Sequence, residues 1–193
     1  RGLELDNTAS RYIHLSPAYA HSSAIAVAMA ISAELPEILP SLRSCLEQKQ
    51  LLRIAKAGWL TSSMLTSICS GGALNIESVR LIDCNGIDDA GLVAVLNCVS
   101  TNLKRLNLYS NPQLTGSILD AIAKCSSLEL LSLSKCSQLP ADGILKVVRA
   151  CPNLIELNLE GIKSIDDSFV AELPAVLKVR FLVPNVTLLD LLM

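Results

Sequence analysis

Aromatic side chains are scarce in this chain of 193 residues: one Trp, three Tyr and two Phe, or 3% of the total. Hydrophobic residues nevertheless make up 51%, and Leu alone supplies 36 positions, so an aliphatic position recurs along the chain. There is no surplus of basic charge. Sixteen Lys and Arg stand against 18 Asp and Glu, a net charge of −2, which excludes the broad positive field that drives phosphate-backbone binding. Nucleic acid is therefore not expected as a primary ligand. Long apolar runs are missing too. The longest such stretch, Ala24 to Ala33, spans ten residues including Ser32, about half of the ~20 that span a bilayer, and its alternation of Ile25, Val27, Met29 and Ile31 with alanines reads as a buried strand. No membrane span is expected.

Histidine is limited to His14 and His21, which lie apart from any cysteine pair, so no zinc site is expected. The seven cysteines, Cys45, Cys69, Cys84, Cys98, Cys125, Cys136 and Cys151, are odd in number and spread out, without C-x-x-C pairs. They read as free thiols of a reducing, intracellular compartment, cytoplasm or nucleus. Asn185-Val186-Thr187 matches a glycosylation acceptor but is short enough to arise by chance. The chain starts at Arg1 without Met and ends in the apolar Leu188 to Met193, so either end is compatible with a cut in a longer protein.

What is present is a repeat. An aliphatic frame with spacing three, two, three recurs as Ile76, Val79, Leu81 and Cys84; Leu103, Leu106, Leu108 and Asn111; Leu128, Leu131, Leu133 and Cys136; and Leu154, Leu157, Leu159 and Ile162. The starts lie 27, 25 and 26 residues apart. A weaker copy follows at Val176, Val179 and Phe181, and further frames fit Leu52, Ile54 and Ala57, then Val27 and Met29, then Leu3 and Leu5. Successive strand side chains alternate between faces, so the second and third frame residues point inward together. Each frame is followed by apolar residues at helical spacing, such as Ile87, Leu92, Val95 and Leu96. A strand so short cannot bury its inner face alone. Stacked units would bury it together, as a parallel sheet backed by helices.

These residues resemble leucine-rich repeats. The positions of Cys84, Cys136, Cys98, Cys125 and Cys151, the Ile87-Asp88-Asp89-Ala90-Gly91-Leu92 run and the Cys151-Pro152-Asn153-Leu154 junction are similar to the cysteine-containing subclass found in F-box proteins. The resemblance implies an α/β fold, a single leucine-rich repeat solenoid over residues 1–193, clearest at 76–173, with a curved parallel sheet on the concave side and helices on the convex side. Alternatively, Leu35-Pro36, Leu51-Leu52-Arg53 and Trp59 make residues 35–59 an F-box-like helical segment, which implies a substrate-recognition component of a ubiquitin ligase.

The candidate chemistry has plainer explanations. The cysteines follow the repeat phase into the core. Asp88-Asp89 and Asp166-Asp167 precede helices, where Asp caps free backbone N–H groups. Gly71-Gly72 lacks the Lys-Ser or Lys-Thr of a phosphate loop and reads as the end of the helix at Met64 to Cys69. No catalytic residue, cofactor or metal is expected, an enzyme with an unrecognised Cys/His site being the distant alternative. The expected function is protein binding, as a scaffold or subunit of a larger complex, through the concave residues Arg80, Asp83, Arg105, Asn107, Tyr109, Ser132, Lys135, Glu156, Asn158, Glu160 and Arg180. Ser78, Ile82, Ser110, Leu130, Ser134, Gly161, Lys178 and Leu182 share that phase.

Overall fold

The three-two-three spacing places Val79 and Leu81 on one side of an extended chain. In the computed structural model, which describes residues 3–5, 12–17, 47, 51–55, 57 and 60–180, that side is buried. The elements in order are strands β1 (Leu3–Leu5), β2 (Tyr12–Pro17) and β3 (Leu51–Ala55), helix α1 (Ser62–Cys69), β4 (Ser78–Ile82), α2 (Asp89–Val99) and β5 (Arg105–Asn107). A 3₁₀ turn (Gly116–Ile118) leads into α3 (Leu119–Ile122), followed by β6 (Leu130–Ser132), α4 (Ala141–Ala150), β7 (Glu156–Asn158), α5 (Asp167–Ala171) and β8 (Lys178–Arg180). All eight strands form one sheet in chain order. From β2 onward the six successive pairings are parallel, which demands a crossover between neighbours, and the helices supply it from β3 to β8.

The register makes the core continuous. Leu52, Val79, Leu106, Leu131, Leu157 and Val179 face one another across the sheet. Val79, Leu106 and Leu131 are fully buried, and so are the helical Leu92, Leu96, Ile118, Ile122, Ile144 and Val147 that share their cluster. Full burial of one such aliphatic side chain is worth roughly 1.5 to 3 kcal/mol, and here the same position contributes once per unit.

The turn after each strand repeats as well. Asp83, Ser110, Lys135 and Gly161 adopt left-handed backbone conformations, with φ of 53, 60, 61 and 77°. They are spaced by the same 27, 25 and 26 residues as the frames, each immediately before the polar or apolar residue that closes its frame. Helix starts are capped by side chains: Asp88 accepts from Gly91 N at 3.0 Å, and Asp166 accepts from Phe169 N at 3.0 Å. Asp89 reaches forward instead, accepting from Thr115 N at 2.8 Å in the next unit. Close approach of α1 and α2 requires Gly91, because a Cβ there would stand 2.8 Å from the Ser62 Cα.

Three expectations change. Leu3 and Leu5 do lie in a strand, but β1 runs antiparallel to β2 and is not a further parallel unit. Strand β2, which the spacing does not anticipate, pairs directly with β3 and places Ile13 and Leu15 in register with Leu52 and Ile54. In the last frame Val179 pairs with Leu157 as expected, yet Val176 is 82% exposed and Leu177 is buried in its place. The expected strand at Ala24 to Ala33 lies outside the described residues, as do Phe181 and Leu182. So do Leu35 to Cys45 and Trp59 of the F-box-like segment, while Leu51 to Ile54 are strand rather than helix.

Candidate functional site: the open face of the sheet

The thiols are the most reactive groups in the sequence, and their placement disarms them. Cys84, Cys98, Cys125, Cys136 and Cys151 are buried free thiols and Cys69 is half-buried; Cys45 lies outside the described residues. Burial pushes the Cys84, Cys136 and Cys151 thiols up to about 11 and Cys125 up to about 12, so they are neutral near pH 7 and lack the thiolate that nucleophilic attack requires. They act as donors between units. Cys84 Sγ lies 3.7 Å from Ile54 O, Cys136 Sγ 3.1 Å from Leu108 O, and Cys98 Sγ 2.8 Å from Gly72 O. Among the described residues no group of three or more His, Cys, Asp or Glu side chains is placed to hold a metal ion. No helix among them is long and apolar enough to cross a membrane.

The other face of the sheet carries the polar side chains. Because the strands are in register, these form rows that run from unit to unit. One row is Arg53, Arg80, Asn107, Ser132, Asn158 and Arg180, and the backbone of His14 extends it on β2. The next row is Leu51, Ser78, Arg105, Leu130, Glu156 and Lys178. Past the strands, Tyr109 and Glu160 flank Ser134, with Lys135 in the turn beside them. Apart from Arg180, whose side chain lies outside the described residues, the expected binding residues thus fall on this face or in the turns at its edge. Arg53 belongs with them too, and its position between the inward Leu52 and Ile54 is the sequence signal that assigns it.

Placement on this face does not guarantee exposure. Arg53, Arg80, Arg105, Lys135 and Glu156 are exposed, and Asp83, Asn107, Tyr109, Asn158 and Glu160 are half-buried. Ser78, Ser132 and Ser134 are buried, which corrects the expectation that they are exposed on the concave face. A serine stands lower than longer neighbours in the same row, here Asn107 and Asn158 on either side of Ser132. Only the backbone of Arg180 is described.

Two features fix side chains on this surface. Lys135 Nζ donates to Tyr109 Oη at 2.6 Å and lies 4.9 Å from the ring centroid, joining neighbouring units. The hydrogen bond to Tyr109 holds the ammonium above the usual lysine range. Asn107 Oδ1 accepts from Tyr109 N at 3.0 Å, and Asn158 Oδ1 accepts from Glu160 N at 3.1 Å. Each carboxamide is oriented by its own backbone, leaving Nδ2 to donate elsewhere. Both asparagines line a hollow of about 240 Å³, together with Leu130, Ser132, Glu156 and Lys178. The surface offers oriented donors in rows about 4.8 Å apart.

No protein-family model matches the chain. Its fold is shared by a solved structure. The crystal structure of the Rad7 and Elc1 complex in yeast contains a chain similar to it, with a TM-score of 0.61 and 20% sequence identity. The match covers 68% of this chain and 33% of that one, so the chain spans about a third of its structural neighbour. A likeness at that identity establishes the α/β fold with its parallel sheet.

Proposed function

We propose that the chain is a leucine-rich repeat solenoid that binds another protein through the open face of its sheet, as a non-catalytic scaffold or subunit of a larger intracellular complex. The observation that carries this reading is the register. It aligns Arg53, Arg80, Asn107, Ser132 and Asn158 across successive strands, with Tyr109 and Lys135 beside them. Arg and Tyr are enriched at protein interfaces, and repeat arrays commonly use such extended surfaces. Free buried thiols fit a reducing compartment. The structural neighbour was itself solved in a complex of two proteins.

The test is site-specific photo-crosslinking in cells, with the reactive group at Asn107 or Asn158 on the sheet face and, as a control, at Lys146 on α4. Crosslinks confined to the sheet-face positions support the reading. Crosslinks from Lys146 alone would transfer the interaction to the helical side. A cullin-ligase adaptor captured from either position would instead favour the substrate-recognition role implied by the F-box-like resemblance.

A further inference from the structure

Resting on that protein-binding reading, we infer that the β3–β5 end of the open face is a docking site for a short acidic, extended segment of the partner, whose carboxylates are taken by Arg53, Arg80 and Arg105 around Ser78. In register, Arg53 stands directly opposite Arg80, and Ser78 directly opposite Arg105. Neighbouring strands are about 4.8 Å apart, so three guanidinium positions fall within a patch three strands wide.

All three arginines are exposed, and among the described residues none is paired with a carboxylate. The ion pairs found there are Lys104 with Glu77, Lys146 with Asp120 and Arg149 with Glu172, none of which involves these arginines. Like charges directly opposite each other on neighbouring strands oppose pairing, and no ion pair among the described residues offsets them. A second observation comes from Ser78. Its side chain is buried at 6% exposure, and its Oγ has no hydrogen-bond partner. Buried hydroxyls are almost always bonded, so this one is an unsatisfied donor at the centre of the cluster that an acceptor seated between the arginines would satisfy. A carboxylate matches both features, because it accepts only and can engage a guanidinium through two parallel hydrogen bonds.

Charge also sets the extent and the direction of the segment. Two strands beyond Arg105 in the same row stands Glu156, and Glu160 lies just past β7. A long polyanion crossing the whole sheet would meet these carboxylates, whereas a few acidic residues confined to β3–β5 would not. This favours an acidic stretch of protein over nucleic acid, in agreement with the net charge of −2. The acidic part lies over the arginines, and the neutral or basic continuation runs toward Asn158 and Glu156.

The experiment is fluorescence anisotropy with a labelled octaglutamate peptide and a labelled oligothymidylate, run on the full chain, on Arg80→Ser/Arg105→Ser and on Glu156→Gln. Both arginines are exposed, so the double variant is expected to fold, which circular dichroism verifies. Octaglutamate should bind saturably, weaken about tenfold in the double variant, which is one factor of ten in Kd, and tighten in Glu156→Gln. Equal binding by the double variant, or oligothymidylate binding as tightly with the same dependence on both arginines, would overturn the inference. The photo-crosslinking at Asn107, repeated in the double variant, separates the two readings. Sheet-face crosslinks that persist there while octaglutamate fails to bind would overturn the acidic segment alone. Absence of sheet-face crosslinks from the unmutated chain would overturn the protein-binding reading as well.

Discussion

Asn111 reaches back 30 residues to the preceding unit, where its Nδ2 donates to Leu81 O at 2.8 Å while its Oδ1 accepts from Cys84 N at 2.9 Å. The same amide nitrogen also donates to Leu108 O at 2.9 Å, and the residue is 1% exposed. Its neighbours in the array, Cys84 and Cys136, bridge units through single thiol donors, so Asn111 is the strongest staple of the series. Asn111→Ala would strand a buried N–H and a buried carbonyl, each at about 1 to 3 kcal/mol. We expect a loss of about 3 kcal/mol in urea denaturation, and a smaller loss for Asn111→Cys. Equal losses for the two would show that volume, not hydrogen bonding, sets the position.

The strand phase is tested by neighbours that point in opposite directions. Leu131 is fully buried between Leu106 and Leu157, and Leu131→Ala should cost about 2 to 5 kcal/mol because the cavity has packed units on both sides. Arg105→Ala, on the exposed face, should lie within about 0.5 kcal/mol of the unmutated chain. Comparable thermal shifts for the two variants would contradict the inward and outward assignment.

The portion of this architecture legible in the sequence is the portion dictated by local repetition. From Ile76 to Leu159 the aliphatic frames name the inward side chains, and Asp88 and Asp166 announce the helix starts that they cap. Strand β2 is not legible although Ile13 and Leu15 stand in register with Leu52 and Ile54, because they lie 39 residues before those partners, outside the spacing of 25 to 27 that identifies the other units. Val176 satisfies the spacing and is exposed, since the Pro174 turn brings Leu177 inward, its N–H bonded to Pro174 O at 3.0 Å. On the open face, phase alone lists which side chains point outward. It does not show that Ser78 is buried, nor that Arg53 stands opposite Arg80, since both depend on the register between units.

The left-handed turn residue gives two substitutions of opposite sign. Gly161 has φ of 77°, and a Cβ there would meet Lys135 Cγ at 3.5 Å, an ordinary contact, so the cost of Gly161→Ala is conformational. That cost is about 1 to 2 kcal/mol. Ser110 holds φ of 60° with a side chain, and Ser110→Gly relieves the same strain while loosening the unfolded chain, for a net change between about 0 and +1 kcal/mol of stability. Denaturant midpoints should therefore move down for Gly161→Ala and stay level or rise for Ser110→Gly. A fall in both would mean that the turns are held by their side chains rather than by backbone conformation.

The buried thiols make stability fall on the alkaline side. Burial raises Cys84, Cys136 and Cys151 from an ordinary value of 9.0 to about 11 and Cys125 to about 12, which means that the folded state holds its protons where the unfolded chain has begun to lose them. A raised value stabilises the fold fully below the unfolded value, and that contribution disappears as pH rises from about 9 through the folded value. Each pH unit inside that window is worth about 1.4 kcal/mol per fully affected thiol, so the urea midpoint should drop clearly between about pH 8 and pH 10.5. Asp88, Asp89 and Asp166 work in the opposite direction. For Asp88 the hydrogen bond from Ser62, and for Asp166 that from Ser168, holds the carboxyl below its usual range. Burial pushes Asp89 up, but bonds from Ser117 and Thr115 outweigh it. Their contribution is present above the ordinary carboxyl value of 3.8 and is lost as pH falls through the depressed ones, giving a stability maximum between the two windows. Cys125 is the thiol to remove, since its Sγ makes only a long contact to Ala121 O at 3.7 Å. In Cys125→Ala the alkaline decline should become shallower while the acid limb stays unchanged. An alkaline slope identical to that of the unmutated chain would assign the loss to groups other than this buried thiol.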